Sequence, residues 1–199
     1  MGKENTESKI LKILLKQFSI TWTVTSLSNE IKISRVGIWK VLKKLEKEGL
    51  IVLTQIGQGK TSTASIKLNW ENIILEKKLA LILTEETLDY QRWLKSFEEL
   101  KEITEFVILY GSILNYPQEA NDIDFLEMVS NKKSFLKIEK VMQRLQKTQI
   151  KKIHSEGFTK TEFKEELKKP NKIFIEAIKK GVVLFGHENF VRFVREIQK

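Results

Sequence analysis

The chain has 199 residues, 41% of them hydrophobic and 31% charged, with 9 Gly, 2 Pro and no Cys. That composition excludes a disordered, collagen-like or disulfide-stapled chain, a thiol nucleophile and a cysteine-based zinc site; the length suits one medium domain or two small ones. The net charge of +9 is uneven, because residues 1–70 hold 12 basic and 5 acidic side chains while the remaining 129 hold 23 and 21.

Such asymmetry points to an N-terminal module that meets a polyanion and a nearly neutral module behind it. A lysine-rich surface kept for solubility is the alternative reading of the same charge. No apolar run approaches the ~18 residues of a membrane span, and the lack of cysteine fits a reducing compartment, so the chain is expected in the cytoplasm and off the membrane.

Ser8 to Phe18 carries Ile10, Ile13, Leu14 and Phe18 at helical spacing, which predicts a helix with one buried stripe. Ile20 to Val24 is β-branched and aromatic and suits a short strand. Thr25 can cap a short helix that turns Leu27 and Ile31 inward. Ser34 can cap the next one, with Ile38, Val41, Leu42 and Leu45 on one face and Gly49 just past its end as a left-handed cap. Residues 50–54 and 63–68 then flank Gly57-Gln58-Gly59-Lys60, which reads as a β-hairpin with a glycine-rich tip. The tip lacks the spacing of a phosphate-binding P-loop.

Helix, short strand, helix, turn, helix and hairpin is the order of a winged helix-turn-helix. Residues 27–51 in particular closely resemble winged-helix transcription regulators, and the resemblance covers about residues 6–70. It implies a second helix that enters the DNA major groove by its N-terminal part. Away from the apolar stripe that helix presents Ser34, Arg35, Lys40, Lys43 and Lys44. Arg35 suits a guanine edge, whereas Lys40, Lys43 and Lys44 suit phosphates. Gln58 and Lys60 at the wing tip could reach the backbone or minor groove. Trp39 fits either the core or the interface.

Trp70 to Leu83 is helical in pattern, and Thr84 followed by Glu85 and Glu86 reads as the cap of a fresh helix carrying Leu88, Trp93, Leu94, Phe97 and Leu100. Residues 71–85 form a helical connector on this reading, between a winged-helix domain at 1–70 and a second domain at 86–199. Its apolar residues suit packing on the second domain or the seam of a homodimer.

In that second domain, Phe106 to Tyr110 is an apolar strand ending in Gly111-Ser112, and Asp122-Ile123-Asp124-Phe125-Leu126 follows after nine residues. Alternation puts Asp122 and Asp124 on one face, ~7 Å apart, where two carboxylates can hold a magnesium ion together with phosphate oxygens. Gly111 permits close backbone approach, and Ser112 is placed to open a following helix whose N-terminus would receive phosphate.

Here the chain resembles the minimal members of the DNA polymerase beta-like nucleotidyltransferase superfamily, through Tyr110-Gly111-Ser112 and Asn121-Asp122-Ile123-Asp124, over about residues 86–186. The resemblance implies an α+β chain in which the winged helix precedes a small α/β domain with a mixed sheet. It further implies that Asp122 and Asp124 are catalytic and bind magnesium, and that Gly111 and Ser112 hold the phosphates of a nucleoside triphosphate such as ATP. An NMP would pass to an acceptor hydroxyl, on a protein among other candidates.

Active relatives add a third carboxylate from a later strand. The strand expected at 149–154 offers lysine there, Glu156 lies just beyond it, and Glu127 falls on the opposite face. Ile113 to Tyr116 also replaces the small and basic residues common after Gly-Ser in relatives. Two readings follow: a DNA-binding nucleotidyltransferase, or a DNA-binding transcription regulator whose transferase domain is inactive and serves as a nucleotide sensor or dimer module. His154 reads as a packing or surface residue, His187 as a helix start, and Thr159 with Glu162 as a helix cap.

Overall fold

The first helix begins at Asn5, whose side-chain oxygen accepts the Ser8 amide at 2.7 Å; α1 then runs Thr6–Lys16 and buries Ile10, Leu11, Leu14 and Leu15. The computed structural model describes residues 4–57 and 63–198, so the hairpin tip, with Gln58 and Lys60, lies outside the described residues. Contacts divide the chain into Met1–Ile82 with Gln198–Lys199, and Leu83–Ile197.

In the N-terminal unit, β1 is only Trp22–Thr23. The cap of α2 (Val24–Ile31) is Thr23 and not Thr25: Thr23 and Ser26 form a reciprocal capping box, which leaves Thr25 inside the first turn. Lys32 closes α2 with φ of 59°, a left-handed position unusual for a side chain with a Cβ. Ser34 caps α3 (Arg35–Lys47) as expected, accepting the Gly37 amide at 3.1 Å. Gly49, at φ 69°, then reverses the chain while the Leu50 amide donates to the Leu45 carbonyl at 2.9 Å.

The hairpin is β2 (Ile51–Ile56) and β3 (Thr63–Leu68), and β1 adds to its outer edge to give the order β1-β3-β2, all antiparallel. Register places Ile51 opposite Leu68 and Leu53 opposite Ile66, so their common face closes over the helices.

α4 spans Ile73–Thr87, and the fresh start expected at Thr84 is absent. Thr84, Glu85 and Glu86 continue the helix. It ends instead at Thr87, which is buried and whose hydroxyl lies within hydrogen-bond distance of the Leu83 and Val183 carbonyls and His187 Nε2. The expected apolar helix beyond it is broken into a 3-10 turn, α5 (Gln91–Ser96) and a second 3-10 turn at Glu98–Glu102. Those breaks swing Trp93, Phe97 and Leu100 into the core and leave Leu88 exposed.

The C-terminal unit is built on β4 (Phe106–Tyr110), β5 (Asp122–Val129), β6 (Lys152–Thr159) and β7 (Val182–Phe185) in the order β6-β5-β4-β7. β5 and β6 are parallel and α6 (Lys133–Gln146) makes the crossover; the other pairs are antiparallel, so the sheet is mixed as expected.

One face carries Val107, Leu109, Ile123, Phe125 and Val129 against Ile138, Met142 and Leu145 of α6. The other is covered by α7 (Lys160–Glu166), α8 (Lys172–Lys180) and α9 (His187–Gln198), where Phe106 meets Phe163 and Phe190 edge-on at 5.5 and 5.3 Å between ring centres. The Thr159–Glu162 capping box opens α7, and His187 opens α9, both as read from the sequence.

Glu127 breaks the apolar pattern of β5. It sits fully buried on the core face, accepts the Ser155 hydroxyl at 2.8 Å through Oε1, and leaves Oε2 without a hydrogen-bond partner among the described residues. Burial pushes its carboxyl up to about 8, against the smaller opposing pull of Ser155. The folded chain therefore keeps a proton on Glu127 over a range in which the unfolded chain, ionising near 4.5, has lost it. Stability must fall as pH rises from the unfolded value toward the folded one, and level off above it. E127Q cannot ionise and keeps the acceptor for Ser155. In urea unfolding at pH 5 and 7.5, the wild type is predicted to lose roughly 3 kcal/mol relative to this variant.

Candidate nucleic-acid interface and carboxylate cleft

The buried side of α3 fixes what its other side displays. Ile38, Leu42 and Leu45 are fully buried. At roughly 100° per residue the opposite side is centred on Val36, Lys40, Lys43 and Lys47, all of them exposed. Lys40 and Lys47 make no ion pair among the described residues. Lys43 pairs with Glu46 at 2.7 Å and also lies over the Trp39 ring, 4.9 Å from its centre.

Trp39 is 40% exposed, so it belongs to the surface. Arg35 lies at the flank nearer the hairpin and, with Val36, Trp39, Lys43, Leu53 and Gln55, lines a groove of about 690 Å³ between α3 and the wing.

Besides Lys43, two of the residues read from the sequence are already engaged. Ser34 spends its side-chain oxygen on the helix cap. Lys44 turns toward α1, where its ammonium meets Glu7 at 2.5 Å, a pairing that raises its pKa above the ordinary lysine value. Lys47, outside the set read from the sequence, lies on the same side as Lys40 through the helical phase set by Ile38, Leu42 and Leu45.

In the C-terminal unit the Gly-Ser and Asp-x-Asp segments do meet. Gly111 has φ of 84°, and a Cβ at that position would run into the Asp124 carboxylate. Asp122 and Asp124 are half-buried on one face of β5, while Ile123 and Phe125 are fully buried on the other. Asp124 lies opposite Tyr110 on β4 and beside His154 on β6, whose Nδ1 is 3.3 Å from its Oδ1. Lys152 occupies the register position beside Asp122. Burial pushes the Tyr110 hydroxyl up to about 12, with Glu156, Asp124 and Glu127 adding to the shift, so this hydroxyl keeps its proton.

Two features depart from the sequence reading. No helix follows Gly111-Ser112, only a 3-10 turn at Ser112–Leu114, so the expected helix N-terminus for phosphate is missing. The third strand starts later than expected and runs to Thr159, which brings Glu156 inside it, beside Leu126 and on the face of Asp122 and Asp124. His154, read as a packing or surface residue, stays partly exposed and also faces Asp124.

An open cleft of about 800 Å³ lies at this place, lined by Tyr110, Gly111, Ser112, Tyr116 and Asp124 on one side and by Lys172, Ile173, Glu176 and Lys180 of α8 on the other. Lys180 is paired with Glu176 at 2.5 Å. Lys172 carries no motif in the sequence, and only the packing of α8 against β4 delivers it to the cleft. Two carboxylates suit a magnesium ion that keeps waters and phosphate oxygens as its remaining ligands. Among the described residues no three His, Asp or Glu side chains converge closely enough to hold an ion by themselves.

Residues 6–59 match the family model described as an HTH domain, so this segment is a helix-turn-helix domain; the match covers none of the C-terminal unit. Among solved structures, a zinc-responsive MarR family member, Lactococcus lactis ZitR, is 26% identical over 52% of this chain and 70% of its own, with a TM-score of 0.35. A cysteine-to-serine variant of the same protein gives 23% identity over 52% and 74%, also at 0.35. At that TM-score the likeness establishes neither a shared overall fold nor a shared function. No curated protein matches the chain.

The Gly111 geometry makes a direct prediction. Gly111→Ala combines a strained positive φ with a methyl group driven into Asp124, so it is expected to destabilise the C-terminal unit by roughly 1–3 kcal/mol in urea unfolding.

Proposed function

We propose that the chain is a DNA-binding transcription regulator that reads the major groove with α3, and that its C-terminal unit senses a nucleotide. The observation that carries the first part is the lysine face of α3, set opposite its buried stripe inside a helix-turn-helix domain. Lys40, Lys43 and Lys47 supply phosphate contacts, and Arg35 supplies a planar fork for a guanine edge. A homodimer would present two such helices to a two-fold symmetric site.

For the second part, the support is the cleft lined by Ser112, Asp124 and Lys172, in which Gly111 lies against the Asp124 carboxylate. A nucleoside triphosphate, ATP for instance, would lie there with its phosphates toward Lys172 and a magnesium ion held by Asp122 and Asp124. Magnesium would neutralise phosphate charge. Transfer of an NMP to an acceptor hydroxyl is the second reading, and the observation favouring it is Glu156 on the same sheet face as both aspartates. His154 on Asp124 and Lys152 beside Asp122 favour binding without transfer.

Fluorescence anisotropy on duplexes selected from a random pool tests the DNA reading. Lys40→Ala and Lys47→Ala should each weaken all duplexes alike and lower the salt slope by about one, whereas Arg35→Ala should relax sequence preference. Lys44→Ala, whose ammonium is held by Glu7, should have the smallest effect of the three lysines. Equal losses on every duplex for Arg35→Ala would remove it from base reading. Calorimetric titration with magnesium and a panel of nucleoside triphosphates tests the cleft: binding should require magnesium and vanish in the D122N/D124N double variant. Silence across the panel, from folded protein, would end the sensor reading.

A further inference from the structure

Two apolar side chains of α3, Val36 and Trp39, are exposed. Val36 is the second residue of the helix, is 67% exposed, and sits at the centre of the side shared by Lys40, Lys43 and Lys47. A β-branched residue gains nothing in the exposed first turn of a helix, where its restricted χ1 lowers helix propensity. It makes no contribution to the buried stripe of Ile38, Leu42 and Leu45. Its nearest neighbours on the helix surface are cations and Trp39, whose ring is already covered on one side by the Lys43 ammonium.

An apolar group held among cations at the N-terminal turn of a groove-reading helix lies where base edges are met. The floor of the major groove offers one apolar feature, the C5-methyl of thymine. We infer that Val36 is a specificity-determining residue that packs against a thymine methyl, next to the base pair read by Arg35. The inference rests on the DNA-binding reading and adds to it the identity of one base. It makes the recognised half-site contain a thymine whose methyl group matters, beside a guanine.

The test uses the full chain. Duplexes are selected from a random pool, and each thymine of the enriched site is then replaced singly by deoxyuridine, which removes the methyl and leaves the pairing intact. One position per half-site should lose about fourfold in affinity, the value expected for one buried methyl group. In Val36→Ala the same replacement should cost nothing, and in Val36→Ile the sensitivity should be kept. Because Val36 is exposed and outside the core, both variants are expected to fold, which circular dichroism would check. Enrichment of a site in which no deoxyuridine replacement matters, or in which Val36→Ala remains equally sensitive, would overturn the assignment and leave the DNA reading standing. Failure to enrich any duplex would overturn both.

Discussion

The burial of Ile38, Leu42 and Leu45 against α1 and the hairpin determines how α3 is rotated, and with it every side chain that α3 can offer to a partner. An α-helix has no freedom to display one set of residues independently of another, since about 100° separates each side chain from the next. Once three leucine-sized side chains are inside, Lys40, Lys43 and Lys47 must be outside, and Val36 with them. The wing depends on the same burial, because Leu50 and Ile51 follow directly from the Gly49 reversal and begin the strand that closes the core. A change that rotated α3 by one residue would bury a lysine, at a cost far above any gain in contact with a polyanion.

In the C-terminal unit the corresponding constraint is the two-residue alternation of β5. Ile123 and Phe125 are held in the core, which forces Asp122 and Asp124 to the face where Gly111 approaches. The alternation also sends Glu127 into the core, where the Ser155 hydroxyl is its hydrogen-bond donor and where it stays protonated at neutral pH. A strand that carries acids on both faces thus separates them by environment. Two half-exposed carboxylates remain available to a cation or to His154, while a third is neutral and withdrawn from any charge-based role.

The two sites differ in how much chemistry they already satisfy internally. The α3 surface leaves Lys40 and Lys47 without ion pairs among the described residues, so their charge is available to a polyanion. The cleft is more occupied: Asp124 has His154, Lys180 has Glu176, and Lys152 stands beside Asp122. That contrast is why recognition of DNA is the stronger of the two readings and why nucleotide sensing stands ahead of transfer.

The sequence by itself determined the elements whose signals are local. The α3 cap at Ser34, the reversal at Gly49, the register-forming strands of the hairpin, the alternation of β5 and the Thr159–Glu162 cap all depend on residues within a few positions of one another. It misjudged boundaries where a distant partner decided them. Thr84 has the composition of a cap, yet α4 continues to Thr87, whose hydroxyl has partners some hundred residues away at Val183 and His187. The start of β6 likewise follows from pairing with β5, and that pairing is what moves Glu156 into the strand and His154 onto Asp124. Tertiary structure alone placed Lys44 on Glu7, tied off a lysine that helical phase would leave outside, and brought α8 across from Gly111. Hydrogen bonds and burial between residues far apart in sequence leave no periodic trace in either segment, so only the folded chain could assign them.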